Sequence, residues 1–246
     1  MNHMLRRFPA LISLLVSFTP WIAGQDITKD NLFTINIAPP TLAKNVQVRY
    51  FLAGEFKGAF SATTADGTGS KIIIRTDHEN KVATSFKAIA YAPGCQFVTI
   101  SVDDLTVTRE GQFECQKLST TPLRGSIPTS ALQGKDFQVE VLYVCDWAQQ
   151  FFNLSHAAIS PFVLTKVAVA ADGTFTIDLP DFASDPSWSS FSSDASLKFY
   201  LVDPATGSPV SELAPPASFS TGNNLKVGIN YPGEMQFTVV SATASR

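Results

Sequence analysis

Phe137-Gln138-Val139-Glu140-Val141-Leu142-Tyr143-Val144-Cys145-Asp146-Trp147 is the longest unbroken alternation in the chain. Phe137, Val139, Val141, Tyr143, Cys145 and Trp147 fall on one side at period two. That period belongs to a strand with one face buried, because successive side chains point to opposite faces. The same texture runs outward in both directions. Phe33, Ile35 and Ile37 share a face, as do Val46, Val48, Tyr50 and Leu52. Phe86, Ala88 and Ala90 alternate before a turn at Pro93-Gly94, and Val98, Ile100 and Val102 lead to Asp103-Asp104. Lys71 to Arg75 is a short apolar run, expected as a strand buried on both sides. Downstream, Val167 and Val169 reach Asp172-Gly173, expected as a tight hairpin, with Phe175, Ile177 and Leu179 returning. Leu197, Phe199 and Leu201 run to Pro204-Ala205-Thr206-Gly207. Leu225, Val227, Ile229 and Tyr231 are expected to pair with Met235, Phe237 and Val239 across Pro232-Gly233. Only Trp147 to Ala158 offers a helical face, through Trp147, Phe151 and Leu154.

Many short strands punctuated by turn residues predict an all-β chain of antiparallel sandwiches. Residues 1–24 read as a signal peptide: Arg6 and Arg7, an apolar run from Phe8 to Phe18, then Pro20, Ala23 and Gly24. The polar stretch Ser119-Thr120-Thr121-Pro122 marks a boundary, giving tandem β-sandwich domains at 25–119 and 120–246. One larger sandwich is the alternative. No internal repeat is visible by eye in the sequence.

The 246 residues are 45% hydrophobic and carry a net charge of −3. Losing Arg6 and Arg7 with the signal peptide takes that to −5. A mildly acidic chain without basic clusters suits neither nucleic acid nor anionic membrane surfaces. No apolar run after the signal segment is long enough to span a bilayer. The expected location is secreted or periplasmic, an oxidising compartment.

Cys95 and Cys115 lie symmetrically about position 105. In an antiparallel hairpin turning at Asp103-Asp104 they would stand opposite each other, so a Cys95–Cys115 disulfide is expected. Cys145 is left over and reads as a small buried hydrophobe.

No motif carries catalysis. His78 lies in a polar turn, and His156 lacks a second ligand at zinc spacing. There is no G-x-S-x-G elbow. Asp178, Asp181 and Asp185 are loop carboxylates able to hold calcium, but without EF-hand spacing. The expectation is no catalytic residue, no metal and no cofactor. Binding residues are expected among the loop aromatics Trp147, Phe151, Trp188 and Phe191, because large rings stack on sugars or grip a protein partner. Asn153-Leu154-Ser155 matches an N-glycosylation acceptor.

From Leu123 onward the chain resembles the carboxypeptidase regulatory-like domains, which are transthyretin-type (prealbumin-like) β-sandwiches. The residues are Leu123-Arg124-Gly125-Ser126-Ile127, Phe137 to Val144, and Ala171-Asp172-Gly173-Thr174-Phe175 through Pro180. Phe86 to Gly94 looks like the strand and turn that close such a domain. The resemblance implies a non-catalytic companion module, with no active-site residue to carry over. The leading reading is a non-enzymatic exported protein with a protein or glycan partner. A polysaccharide hydrolase whose carboxylates converge only in the fold, and a calcium-dependent adhesion-like module, are the alternatives.

Overall fold

In the computed structural model, residues 31–63, 69–146, 151–152, 160–181 and 195–241 are described. Residues 1–24, Asn153, Trp147, Trp188 and Phe191 lie outside them.

The first half holds β1 (Leu32–Ala38), β2 (Gln47–Gly54), β3 (Lys57–Thr63), β4 (Lys71–Arg75), β5 (Asp77–His78), β6 (Lys81–Tyr91), β7 (Val98–Val102) and β8 (Glu110–Glu114). Their small sheet has the order β4-β1-β8. Their large sheet runs β3-β2-β6-β5, with β7 also on β6. The second half holds β9 (Thr120–Ser126), β10 (Gln138–Val144), β11 (Phe162–Ala168), β12 (Thr174–Pro180), β13 (Ser196–Val202) and β14 (Pro209–Ala214). It ends with β15 (Ser220–Thr221), β16 (Asn224–Lys226), β17 (Glu234–Gln236) and β18 (Thr238–Ser241). Its small sheet is β12-β9-β17 and its large sheet β11-β10-β13-β14-β18, with β16 bridging β13 and β15.

The two halves share one plan. β1 and β9 each centre a small sheet, antiparallel to β4 or β12 and parallel to β8 or β17. β2 and β10 each sit between two antiparallel neighbours, β3 and β6 or β11 and β13. β7 and β14 then extend the large sheets. The expectation of antiparallel sandwiches therefore holds apart from one parallel pair in each small sheet.

The alternating residues make the cores. Phe33, Ile35, Ile37, Val48, Leu52, Phe86, Ala88, Ala90 and Phe113 are buried together in the first. Phe33 on β1 stacks on Phe86 on β6 at 4.0 Å, so the small and large sheets pack face to face. In the second, Phe175 and Phe199 from opposite sheets both meet Phe237, at 5.6 and 4.9 Å. Burying each such ring stabilises by roughly 1.5–3 kcal/mol. The second core also draws on Ile89, Tyr91, Phe97 and Leu118, which precede the expected boundary. Thr120 to Pro122 of the polar boundary stretch are themselves the start of β9.

Several turns are where the sequence places them, but some join different partners. Pro93-Gly94 links the paired strands β6 and β7, and Gly94 takes φ +77°. Pro204 to Gly207 closes the β13–β14 hairpin, with Gly207 at φ +68°. Asp172-Gly173 turns the chain, yet it is no hairpin: β11 stays in the large sheet and β12 crosses to the small one. Gly173 is at φ +84°, and a Cβ there would stand 2.2 Å from the Ile127 carbonyl oxygen. Asp103-Asp104 likewise connects β7 and β8, which lie in opposite sheets. In both turns an aspartate accepts from the threonine two residues on: Asp104 from Thr106 and Asp172 from Thr174, each through backbone N–H and hydroxyl. The pairing expected across Pro232-Gly233 is absent, because β16 joins β13 while β17 joins β9 and β18 joins β14. β4 is an edge strand with Ile73 half-buried, so it is covered fully on one side only.

Cys95 and Cys115 are bonded, with Cα atoms 5.2 Å apart. The geometric reason differs from the hairpin. Cys95 lies between β6 and β7, and Cys115 directly follows β8, so the bridge ties the large sheet to the small one. Gln96 N–H donates to the Gln116 carbonyl at 2.8 Å, and Cys95 faces Lys117 in an isolated bridge.

Candidate functional site

The sequence-named residues divide. Phe151 is half-buried and meets Phe152 edge-on at 4.9 Å; Phe152 is buried and 5.8 Å from Phe51 on β2. This aromatic pair therefore fills the joint between the two halves. Trp147, Trp188 and Phe191 lie outside the described residues. Asp178 points outward from β12, Asp181 stands just beyond its end, and Asp185 is outside the described residues. Among the described residues no group of three His, Cys, Asp or Glu could hold a metal ion. His78 lies against the rings of Phe56 and Phe60, at 5.8 and 6.2 Å. Cys145 is half-buried against the second core.

The joint is the most specific polar feature. Alternation on β2 sends Val48 and Leu52 into the first core, and Gln47, Arg49 and Phe51 toward the second half. The Gln47 amide donates to the Val163 carbonyl at 2.7 Å and accepts from the Val163 N–H at 2.9 Å. Arg49 Nε donates to the Ser160 carbonyl at 2.6 Å, and its Nη2 to the Pro161 carbonyl at 2.5 Å. Its guanidinium lies 4.6 Å above the Phe162 ring. Arg49 is 5% exposed, and burial away from water lowers its pKa to about 10. Tyr91 Oη donates to the Leu164 carbonyl at 3.4 Å.

Elsewhere some of the described charges are used in pairs. On the outer face of the second large sheet, Lys166 meets Glu140 at 2.7 Å and Lys198 meets Glu212 at 3.7 Å. A hydrogen bond with Tyr200, and then Glu212, raises the Lys198 pKa. Arg75 grips Asp77, and this hydrogen bond holds the Asp77 carboxyl below its ordinary range.

Among the described residues, three depressions on the surface stand out. One of about 570 Å³ lies along the second small sheet, edged by the exposed Arg124–Glu234 pair at 3.6 Å. Its one ring, Phe175, is buried beneath Gly125. A second, of about 380 Å³, follows the joint past Gln47, Val163 and Thr165. The third, of about 440 Å³, lies at the end of the second small sheet. Its walls are Leu179, Pro180 and Asp181 at the end of β12, Thr121 on β9, and Gly228-Ile229-Asn230-Tyr231.

That third pocket combines an apolar wall with polar groups at its rim. β12 ends because its pairing with β9 runs out at Pro180↔Thr120, after which Asp181 N–H donates to the Ser119 carbonyl at 2.7 Å. Gly228, at φ +75°, turns the following residues over this strand end. Tyr231 Oη donates to the Lys226 carbonyl at 2.9 Å, fixing the ring, and burial pushes the phenol up to about 12. Tyr231, Pro180 and Ile229 supply an apolar wall. Asp181 and Asn230 supply a carboxylate and an amide, and the volume suits a small ligand. Reading 225–231 as one strand hides this site. The signal that finds it is the pair of turn residues, Gly228 and Pro232, bracketing Ile229 to Tyr231.

No protein-family model matches the chain, and no curated protein matches it. Similar solved structures include a streptococcal ancillary pilin, at 7% identity over 86% of this chain and 63% of that one, TM-score 0.23. Two B repeat units of the collagen binding protein of Staphylococcus aureus match at 10% identity over 85% of this chain and 49% of theirs, TM-score 0.21. A double mutant of shaft pilin SpaA from Lactobacillus rhamnosus GG matches at 6% identity over 86% of this chain and 98% of that one, TM-score 0.24. The chain thus spans less than two thirds of the first two. These similarities assign it neither a family nor a function.

Proposed function

We propose that this chain is a non-enzymatic, extracytoplasmic binding module of two β-sandwich domains, 25–119 and 120–246, the second of carboxypeptidase regulatory-like type. Its ligand is a glycan, held in the pocket under Tyr231. The observation that carries the reading is the composition of that pocket. A fixed aromatic ring with Pro180 and Ile229 offers a face for sugar C–H groups, while Asp181 and Asn230 meet hydroxyls at the rim. The strand end that builds it leads directly into the serine-rich segment carrying Trp188 and Phe191, the two further aromatics expected to bind.

The disulfide supports an oxidising compartment, in keeping with the signal-like residues 1–24. The non-enzymatic reading is supported by five of the described acids, which the fold already uses. Glu140, Glu212 and Asp77 are committed to cations, and Asp104 and Asp172 to turns. Sandwiches host many functions, so the fold itself makes no choice among them.

The test is a thermal-shift screen of residues 25–246 against cell-wall and polysaccharide fragments, with calcium and chelator arms. A ligand at a hundred times its Kd stabilises by about 2.7 kcal/mol. The expected hit is a glycan, insensitive to chelator and abolished by Tyr231→Ala in a protein that stays folded. A calcium-dependent hit would favour the adhesion-like alternative. Hydrolysis of the glycan would favour the polysaccharide hydrolase and overturn the proposal.

A further inference from the structure

The segments 94–97 and 115–118 lie between the named strands and form a short antiparallel ladder of their own. Gln96 N–H donates to the Gln116 carbonyl at 2.8 Å, Cys95 faces Lys117, and Leu118 N–H donates to the Gly94 carbonyl at 3.0 Å. The Cys95–Cys115 bridge crosses the same two segments diagonally. Each segment carries one residue into the second core. Phe97 is buried among Tyr91, Tyr143 and Phe162, with ring centroids 5.0, 5.6 and 5.1 Å away, and Leu118 is buried in the same cluster. Cys95 itself is buried in the first core. The cross-linked ladder is therefore a wedge of the first half seated in the second. The halves also meet on β2, where Gln47 and Arg49 hold the backbone of Ser160, Pro161 and Val163. Two attachments fix one orientation. A single polar attachment leaves a pivot, about which joined domains ordinarily move.

We infer that the Cys95–Cys115 bridge is a redox-sensitive latch on the joint. Intact, it keeps Phe97 and Leu118 seated in the second core and the two sandwiches in one orientation. Reduced, it lets the sandwiches swing about Gln47 and Arg49. The reductant is a dithiol. Cys115 is half-buried and Cys95 fully buried, so the attack falls on the Cys115 sulfur. The incoming thiolate forms a mixed disulfide there, and the Cys95 sulfur leaves and takes a proton. The second thiol of the reagent then closes on the first sulfur and releases Cys115 as a thiol. The bridge gains two electrons and two protons, and the dithiol becomes a cyclic disulfide.

Residual dipolar couplings and hydrogen exchange on residues 25–246 test this. The oxidised protein is expected to fit one alignment tensor across both halves. After reduction by a dithiol, the halves are expected to need different tensors, each still fitting its own half. Exchange at the Gln96 and Leu118 amides is expected to rise about tenfold, the size a lost hydrogen bond gives. The Val163 amide, held by Gln47 at the pivot, is expected to keep its protection. A single tensor for the reduced, folded protein would overturn the proposal, and so would loss of protection at Val163 in it. Should reduction unfold the first half, Phe97→Ala in the oxidised protein decides the matter. It keeps the bridge and removes the wedge, and it is expected to split the tensor; one tensor for both halves of that variant would overturn the proposal.

Discussion

The two sandwiches follow one strand plan and are closed by different means. In the first, Cys95–Cys115 ties the β6–β7 link to the chain just after β8, so a covalent bond joins the large sheet to the small one. The second has no such bond. It closes with an extra strand, β18, on its large sheet, and with Phe175, Phe199 and Phe237 meeting between the sheets. Gly125 makes room for that cluster: a Cβ there would stand 2.1 Å from the Phe175 ring. One topology is therefore compatible with two ways of holding sheets together, because topology fixes which strands are neighbours and leaves the closing contact free.

Removing the disulfide is expected to have the largest effect. Cys95→Ala with Cys115→Ala opens a loop with a separation of 20 residues. The loss should be about 3 kcal/mol in denaturant unfolding, concentrated in the first half. Equal loss of protection in both halves by hydrogen exchange would mean that the sandwiches unfold as one.

The opposite experiment loads the second half. Gly173→Ala meets both a positive φ and the Ile127 carbonyl, and is expected to destabilise by about 2–3 kcal/mol. Gly125→Ala should cost slightly less, since a ring can shift where backbone cannot. Both should spare the first core, read as unchanged exchange at Phe86 and Ala88. Between the halves, Arg49→Ala leaves the Ser160 and Pro161 carbonyls without their donor. That is expected to cost about 1–3 kcal/mol by chemical denaturation.

The smallest effect concerns pH and is alike in both halves. Hydrogen bonds from Thr106 and Thr174 hold the Asp104 and Asp172 carboxyls below their ordinary value of 3.8. A depressed acid pKa means the unfolded chain binds protons first. The contribution is therefore present above the ordinary value and is lost as pH falls through the lowered one. Thr106→Val and Thr174→Val should flatten the dependence of the melting temperature on pH below about 4, each in its own half.

Much of the fold is legible in the chain. Period-two alternation finds the inner faces of β1, β2, β6, β10 and β13, because burial on one side writes itself into every second residue. Pro93-Gly94 and Pro204 to Gly207 announce their turns, because positive φ favours glycine. Partner choice is less legible. Asp172-Gly173 specifies a turn, and the same turn serves a hairpin or a crossing between sheets, so the hairpin reading fails there. The side-chain contacts across the joint leave no trace in the sequence, since Gln47, Arg49 and Tyr91 reach residues 73 to 116 positions away. Tyr231 and Asn230 sit in apolar alternation broken only by Gly228, which conceals a pocket wall as a strand.

The most direct test of the binding reading is amide chemical-shift mapping on residues 25–246, titrated with the best glycan from the screen. The account predicts that the largest shifts fall on Thr121, Asp181, Asn230 and Tyr231, and that Tyr231→Ala removes them. Shifts gathered instead along Arg124, Thr176 and Glu234, or on the outer face around Tyr200, would contradict it.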